Sequence, residues 1–324
     1  MNRSRPFIEV SVGGRPVGGL FYQLLNQATI HDAPGQDADT CELTFDDGGN
    51  RIIMPTPGQI ITVKFGFRDA GSWKMGTFEV EKPRIEGGQA GEMLILSGRS
   101  AAMSKKVKET GSEHFDDKTI GDIVRQIAGK AGYGVKVSPE LASIRIGYIA
   151  RFNQSPVDFL TRLADRNKAL FSVKDGKFLF LKRGELPPLT IDKGDCESWS
   201  FTVEPRPRFG EIEATWFDRA TGEIRTESHS TGMKGPLKRL RTGFQDAAEA
   251  KRAAGSEGDR LGRATGSGSV TLAGLPEAVA DQPIETTGFR AEANGEWRAA
   301  SVEHSFGDTY LTTIELEAPE GGKE

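Results

Sequence analysis

Gly66-Phe67-Arg68-Asp69-Ala70-Gly71-Ser72-Trp73-Lys74, followed by Phe78-Glu79-Val80-Glu81, has a counterpart near the other end of the chain. There the residues run Gly288-Phe289-Arg290-Ala291-Glu292-Ala293-Asn294-Gly295-Glu296-Trp297-Arg298, with Ser301-Val302-Glu303 behind them. Each copy reads Gly-Phe-Arg, a Gly-containing turn, Trp plus a base, then a strand ending Val-Glu. A strand pattern precedes each copy (60–65 and 284–287) and another follows it (93–96 and 312–316). Two hairpins of one design predict two related β-barrels that bracket whatever lies between them. The two tryptophans then pack equivalent corners, where a large aromatic fills space well.

The surroundings of each copy agree. Phe7-Ile8-Glu9-Val10-Ser11-Val12 alternates before Gly13-Gly14, and Cys41-Glu42-Leu43-Thr44-Phe45 alternates before Asp46-Asp47-Gly48-Gly49. Strands at 59–65, 77–81 and 92–97 complete the first set. After Gly184-Glu185-Leu186-Pro187-Pro188 the chain returns to strand patterns at 198–203, 210–217, 223–228, 269–272, 284–289, 297–304 and 309–317. The chain holds 40 glycines in 324 residues, above the usual level of about 7%. Short apolar runs with so many turn residues indicate a mainly β protein.

The middle differs. Thr119 precedes Ile120, Ile123, Val124, Ile127 and Ala128, a stripe of helical period, with Asp122 placed for a capping box. That helix should stop between Gly129 and Gly134. A second helix opens at Ser155-Pro156, with Asp158 in its first turn and Val157, Leu160, Leu163 and Ala164 on its buried face. A hairpin follows, 169–174 and 177–182, joined by Asp175-Gly176 in a type I′ turn. The expected fold class is α+β, mainly β: a barrel over 1–103, an α+β insertion over 104–184, and a second barrel over 185–324. The last part includes an Ala-rich helix near 244–262, weakened by Gly255 and Gly258.

Composition excludes several functions. No apolar run approaches the 18 residues or so of a spanning helix, so no membrane anchor is expected. The N-terminal residues carry no apolar stretch of the secretory kind. The net charge of −4 lacks the basic footprint of bulk nucleic-acid binding. Cys41 and Cys196 form neither a zinc site nor a disulfide framework; they read as thiols of a reducing compartment.

Catalytic patterns are not found either. There is no Gly-x-Ser-x-Gly elbow, Walker loop or Gly-x-Gly-x-x-Gly, and His31, His114, His229 and His304 stand apart. His31-Asp32 reads as a solvated turn rather than half a metal site. Glu303 and His304 would point to opposite faces of a strand. Asp46-Asp47-Gly48-Gly49-Asn50 reads as turn chemistry, since it lacks the ligand alternation and distal Glu of a calcium loop. Lys105-Lys106-Val107-Lys108 and Lys238-Arg239-Leu240-Arg241 read as solvated faces or contacts with an acidic partner. No catalytic, cofactor-binding or metal residue is therefore nominated, and no cofactor is expected.

Four ordered segments carry a family resemblance. They are Ala38 to Asp47 with Pro57-Gly58-Gln59 and Gly66-Phe67; Lys118-Thr119-Ile120-Gly121-Asp122-Ile123-Val124; Asn153-Gln154-Ser155-Pro156-Val157-Asp158-Phe159-Leu160; and the Gly288 to Leu316 repeat with Val302-Glu303-His304-Ser305. In this order the chain resembles the phage late control gene D family, the baseplate hubs of contractile tails. Pro156 departs from the acidic or small residue usual there. The resemblance implies a homotrimer of two-barrel subunits, six similar barrels around one axis, joining a threefold tail spike protein to a sixfold tail tube protein. It implies baseplate wedge components as neighbours, and a place in the virion tail baseplate after assembly in the bacterial cytoplasm. Arg206, Arg208, Lys238 and Arg241 are expected to face an acidic neighbour, and His304 becomes a framework residue. The alternative is a tail-associated peptidoglycan hydrolase, which would need a catalytic Glu or a metal cluster. A third reading, a spike-like secretion subunit, would continue into a long β-helix.

Overall fold

The computed structural model describes residues 5–34, 38–89, 91–101, 105–174, 176–203, 209–319 and 322. The first part contains β1 (Pro6–Val12), β2 (Arg15–Pro16), α1 (Gly19–Leu24), β3 (Leu25–Asp32), β4 (Thr40–Asp46), β5 (Ile60–Phe67), β6 (Gly71–Val80), β7 (Arg84–Gly88) and β8 (Gly91–Ser100). The middle contains α2 (Lys105–Lys108), β9 (Gly111–Thr119), α3 (Ile120–Ala131), β10 (Gly134–Val137), α4 (Pro139–Ala142), β11 (Arg145–Gln154), α5 (Pro156–Asp165), β12 (Ala169–Lys174) and β13 (Lys177–Lys182). The last part contains β14 (Leu189–Asp192), β15 (Cys196–Val203), β16 (Glu211–Asp218), β17 (Glu223–Ser230), β18 (Leu237–Phe244) and α6 (Ala247–Arg263). It ends with β19 (Gly266–Ala273), β20 (Pro283–Thr287), β21 (Gly295–Phe306) and β22 (Tyr310–Glu317).

The repeat is real at the level of topology. The first unit runs β1-β5-β6-β8-β4-β3 and the second β14-β20-β21-β22-β19-β15, the same order in space. One difference lies at the start: β1 is antiparallel to β5, whereas β14 is parallel to β20. Among the described residues no ladder joins β1 to β3 or β14 to β15, so neither unit closes on itself by strand pairing. Instead β3 pairs antiparallel with β21, from Ala28 opposite Phe306 to Asp32 opposite Val302. The two units are thus one continuous sheet. Side chains reinforce the seam: Tyr310 lies edge-on to Phe65 and stacked on Phe67, inside the first unit's core.

The repeat tryptophans occupy equivalent hairpin strands, on β6 and β21, but not with equal burial. Trp297 is fully buried, with its indole N–H donated to Ala293 O at 2.8 Å. Trp73 is only half-buried at the rim of the first core. The aligned glycines also differ in purpose. A Cβ on Gly66 would sit 2.3 Å from Gly71 O across the hairpin, while Gly288 is needed for its φ of +77°.

In the middle, local chemistry sets the elements as the sequence suggests. Thr119 and Ser155 each cap a helix through reciprocal bonds with Asp122 and Asp158, a capping box with Asp in place of Glu. Gly132, in the left-handed region, ends α3. The buried stripes of α3 and α5 meet Phe171, Phe178 and Phe180 of the β12–β13 hairpin in one core. Gly176 has φ of +70°, as the turn requires; Asp175 lies outside the described residues. The structure adds what periodicity did not show, a β9–β11 ribbon and a parallel β10–β13 pair.

Strands β16, β17 and β18, expected from their patterns to belong with the second barrel, form a separate three-stranded sheet. α6 covers it, burying Ala250, Ala253 and Ala254 against Ile212, Ala214 and Phe244. Gly255 and Gly258, which cost helix propensity, allow this packing: a Cβ on Gly258 would stand 2.9 Å from the His229 ring.

Candidate functional site

The three parts of the chain meet at the end of β3. Asp32 is buried there; one carboxylate oxygen accepts from Ala280 N at 3.0 Å and the other from the Lys174 ammonium on β12. Asp39 lies 3.8 Å from the same ammonium and accepts from Ala33 N. Tyr133, Thr77 and Ser100 help line the cleft above this cluster, about 520 Å³ in volume. Two carboxylates share one ammonium in a poorly hydrated place. Burial, outweighing Lys174 and aided by the Asp32 charge, pushes Asp39 up to about 7. The site reads as an ionic joint between first unit, middle and second unit.

A second joint lies where the chain leaves the middle. Arg183 reaches Asp281 and Asp165 at 3.4 and 3.5 Å. Asp281 also takes Arg298, which binds Glu317 as well, and Arg263 approaches Glu317 at 3.7 Å. Burial lowers Arg298 to about 10, with Glu317 opposing the shift. Buried networks of this kind fix one arrangement of parts; breaking one partner leaves an uncompensated charge.

Other residues singled out from sequence find structural roles. His31 and Asp32 are not on a solvated turn but in β3, because pairing with β21, remote in sequence, makes this polar segment a strand. That pairing sets His31 directly opposite Glu303. His304 points the other way, into the core. Its Nδ1 faces the hydroxyls of Thr312 and Tyr310, both at 3.1 Å, and its Nε2 faces Ala278 O at 3.2 Å. The neutral ring that donates from Nε2 and accepts at Nδ1 fits these partners, and burial lowers its pKa to about 4. Asp47 accepts from Arg51 N and Ile52 N, so the acidic segment is an Asx-type turn.

Two residues of the second basic run are paired from within. Lys238 binds Glu257 at 2.6 Å and Arg239 binds Glu213 at 2.6 Å, so Lys238 does not stand ready for an acidic neighbour. Arg241 is exposed. Arg206 and Arg208 lie outside the described residues, as do the side chains of Lys105 and Lys106. Cys41 is buried and its thiol pushed above the usual range by burial; Cys196 shifts in the same direction. Among the described residues no cluster of three or more His, Cys, Asp or Glu is placed to hold a metal ion, and no helix is long and apolar enough to cross a membrane.

Buried ionic joints thus tie the two units to each other and to the middle of the chain. Residues 77–310 match the family described as phage tail baseplate hub (GPD), and the chain belongs to that family. It is 26% identical to the probable baseplate hub protein of Escherichia phage 186, over 96% of this chain and 92% of that one. It is also 26% identical to the probable baseplate hub protein of Escherichia phage P2, over 96% and 93%. In fold it is similar to the 43 kDa tail protein of prophage MuSo2 from Shewanella oneidensis, with a TM-score of 0.75, 17% identity, and 99% and 100% coverage. The protein is a structural component of the phage tail baseplate.

Proposed function

We propose that three copies of this chain form a hub ring that joins a threefold spike to a sixfold tail tube, with wedge components around it. The observation that supports this most is the repeated strand order of the two units. One chain carries two similar units, so a trimer presents six around its axis. Such a ring faces a sixfold partner with six like surfaces and a threefold partner with three identical subunits. The acids described above serve folding rather than catalysis, which favours a structural protein over a cell-wall hydrolase: Asp32 is tied to Lys174, and Asp47 to backbone donors. Assembly is assigned to the bacterial cytoplasm, before the particle is released.

Light scattering of the purified chain, alone and with its spike protein, should give the mass of three chains. A strict monomer under both conditions overturns the reading. Zymography on peptidoglycan should show no clearing; clearing abolished by one carboxylate substitution would favour the hydrolase.

A further inference from the structure

The seam between the two units shows what each unit's free edges lack. In the first unit, β3 is the last strand, and its outer edge is filled by the 302–306 segment of β21. In the second unit the matching last strand is β15, which pairs with β19 on one side and, among the described residues, with no strand on the other. The counterpart of the 302–306 segment can be found as well. That segment leads into the hairpin turn joining β21 to β22, with Phe306 opposite Tyr310. In the first unit the strand leading into the matching turn, onto β8, is β7, with Gly88 opposite Gly91. β7 pairs with β8 on one side and, among the described residues, with no strand on the other.

Burial supports the correspondence. Directly opposed residues of paired strands share a face. Trp199 on β15 is opposite the fully buried Val270, and Ile85 on β7 is opposite the buried Leu94. Both therefore lie on the core side of their sheets. Yet Trp199 is 45% exposed and Ile85 54% exposed. At the filled seam, the core-side residues Ala28, Ile30, Val302 and His304 are no more than 3% exposed. What separates the two sets is the presence of a neighbouring strand.

We infer that β15 of one copy pairs antiparallel with β7 of the next copy, repeating the β3–β21 seam between chains. The occupant of each free edge is thus a second copy of this chain. The contact is heterologous, so it generates a ring when the rotation closes. Three copies then give three seams within chains and three between them, and no edge strand of the long sheet remains open at these positions. Trp199 and Ile85 become cross-strand neighbours over a continuous apolar layer. The inference rests on the trimeric reading and adds the surface by which the copies meet.

The test uses the full chain. Ile85→Glu and Trp199→Glu, each made separately, should convert the trimer to a monomer by light scattering with an unchanged circular dichroism spectrum. In a Cys196→Ser background, Ile85→Cys with Trp199→Cys should be joined by a short bismaleimide into dimers and covalently closed trimers, whereas either cysteine alone should not. The cysteine pair reads the same contact if a Glu variant does not fold. A wild-type trimer whose Glu variants stay trimeric, or whose cysteine pair gives no species larger than one chain, places the contact elsewhere and overturns this inference while leaving the hub reading intact. A wild-type chain that remains monomeric with and without the spike overturns both.

Discussion

In the first unit Phe45, Phe65 and Phe78 fill the core, and Trp73 sits half-buried at its rim; in the second, Trp297 is the central side chain, packed on Phe201. The same strand order is therefore filled by different means. The first unit relies on several phenylalanines distributed over neighbouring strands. The second centres its apolar core on one indole, while Arg298, the next residue along β21 and on the opposite face, carries the joint to Asp281, Glu317 and the middle of the chain. A repeated topology does not need a repeated core, provided each unit excludes water and pairs what it buries.

The sharpest way to break this comparison is at the tryptophans. Trp297→Ala should cost about 3–5 kcal/mol by urea denaturation, the range for removing a fully buried large side chain. Trp73→Ala should cost about 1 kcal/mol, since much of its surface is already wet. Equal losses would refute the asymmetry. Next in size is Asp281→Ala, which leaves Arg183 and Arg298 facing one another and should cost about 3 kcal/mol. Asp281→Ala combined with Arg298→Met should recover part of that loss; no recovery would show that the joint is not an electrostatic unit.

In pH the two units pull in opposite directions, and the two contributions largely offset each other in the unaltered chain. Between about 6.5 and 4 the unfolded chain takes up a proton that folded His304 refuses, so this group lowers stability as pH falls, by about 3 kcal/mol over the whole window. Between about 4 and 7 folded Asp39 keeps a proton that the unfolded chain has released, so this group lowers stability as pH rises. Asp39→Asn should therefore leave a stability that rises with pH across 4 to 6.5, and His304→Gln one that falls across the same window. Denaturant midpoints measured at each pH check both slopes; identical slopes in the two variants would refute the assignments.

Local signals were legible where the chain speaks for itself. The two helices of the middle announce themselves through Thr119 with Asp122 and Ser155 with Asp158, and the hairpin through Gly176. The Gly-Phe-Arg to Trp repeat gave the two units. Strands defined by remote partners were not legible. Leu25-Asn26-Gln27-Ala28-Thr29-Ile30-His31-Asp32 has weak alternation, and becomes β3 only because β21 and β4 flank it. Arg84-Ile85-Glu86-Gly87-Gly88 has less still, with a proline before it and two glycines at its end. The joints were out of reach for the same reason: Asp32 with Lys174, and Arg183 with Asp281, are brought together by the fold and have no short-range spacing. The small sheet of β16 to β18 was read as strands but not as a separate layer, since strand patterns do not say which sheet they join.

The β3–β21 seam also has a consequence for synthesis. β3 emerges from the ribosome early, and its partner is nearly the last strand to follow. Throughout translation of the intervening chain, the first unit carries an unpaired polar edge and a core without Tyr310. Contacts of such long sequence separation form slowly, and open edges on nascent chains recruit other nascent chains. Translation order therefore makes the C-terminal hairpin a release step: a chain truncated before residue 302 should accumulate as aggregate, and only the completed chain escapes with its first unit sealed.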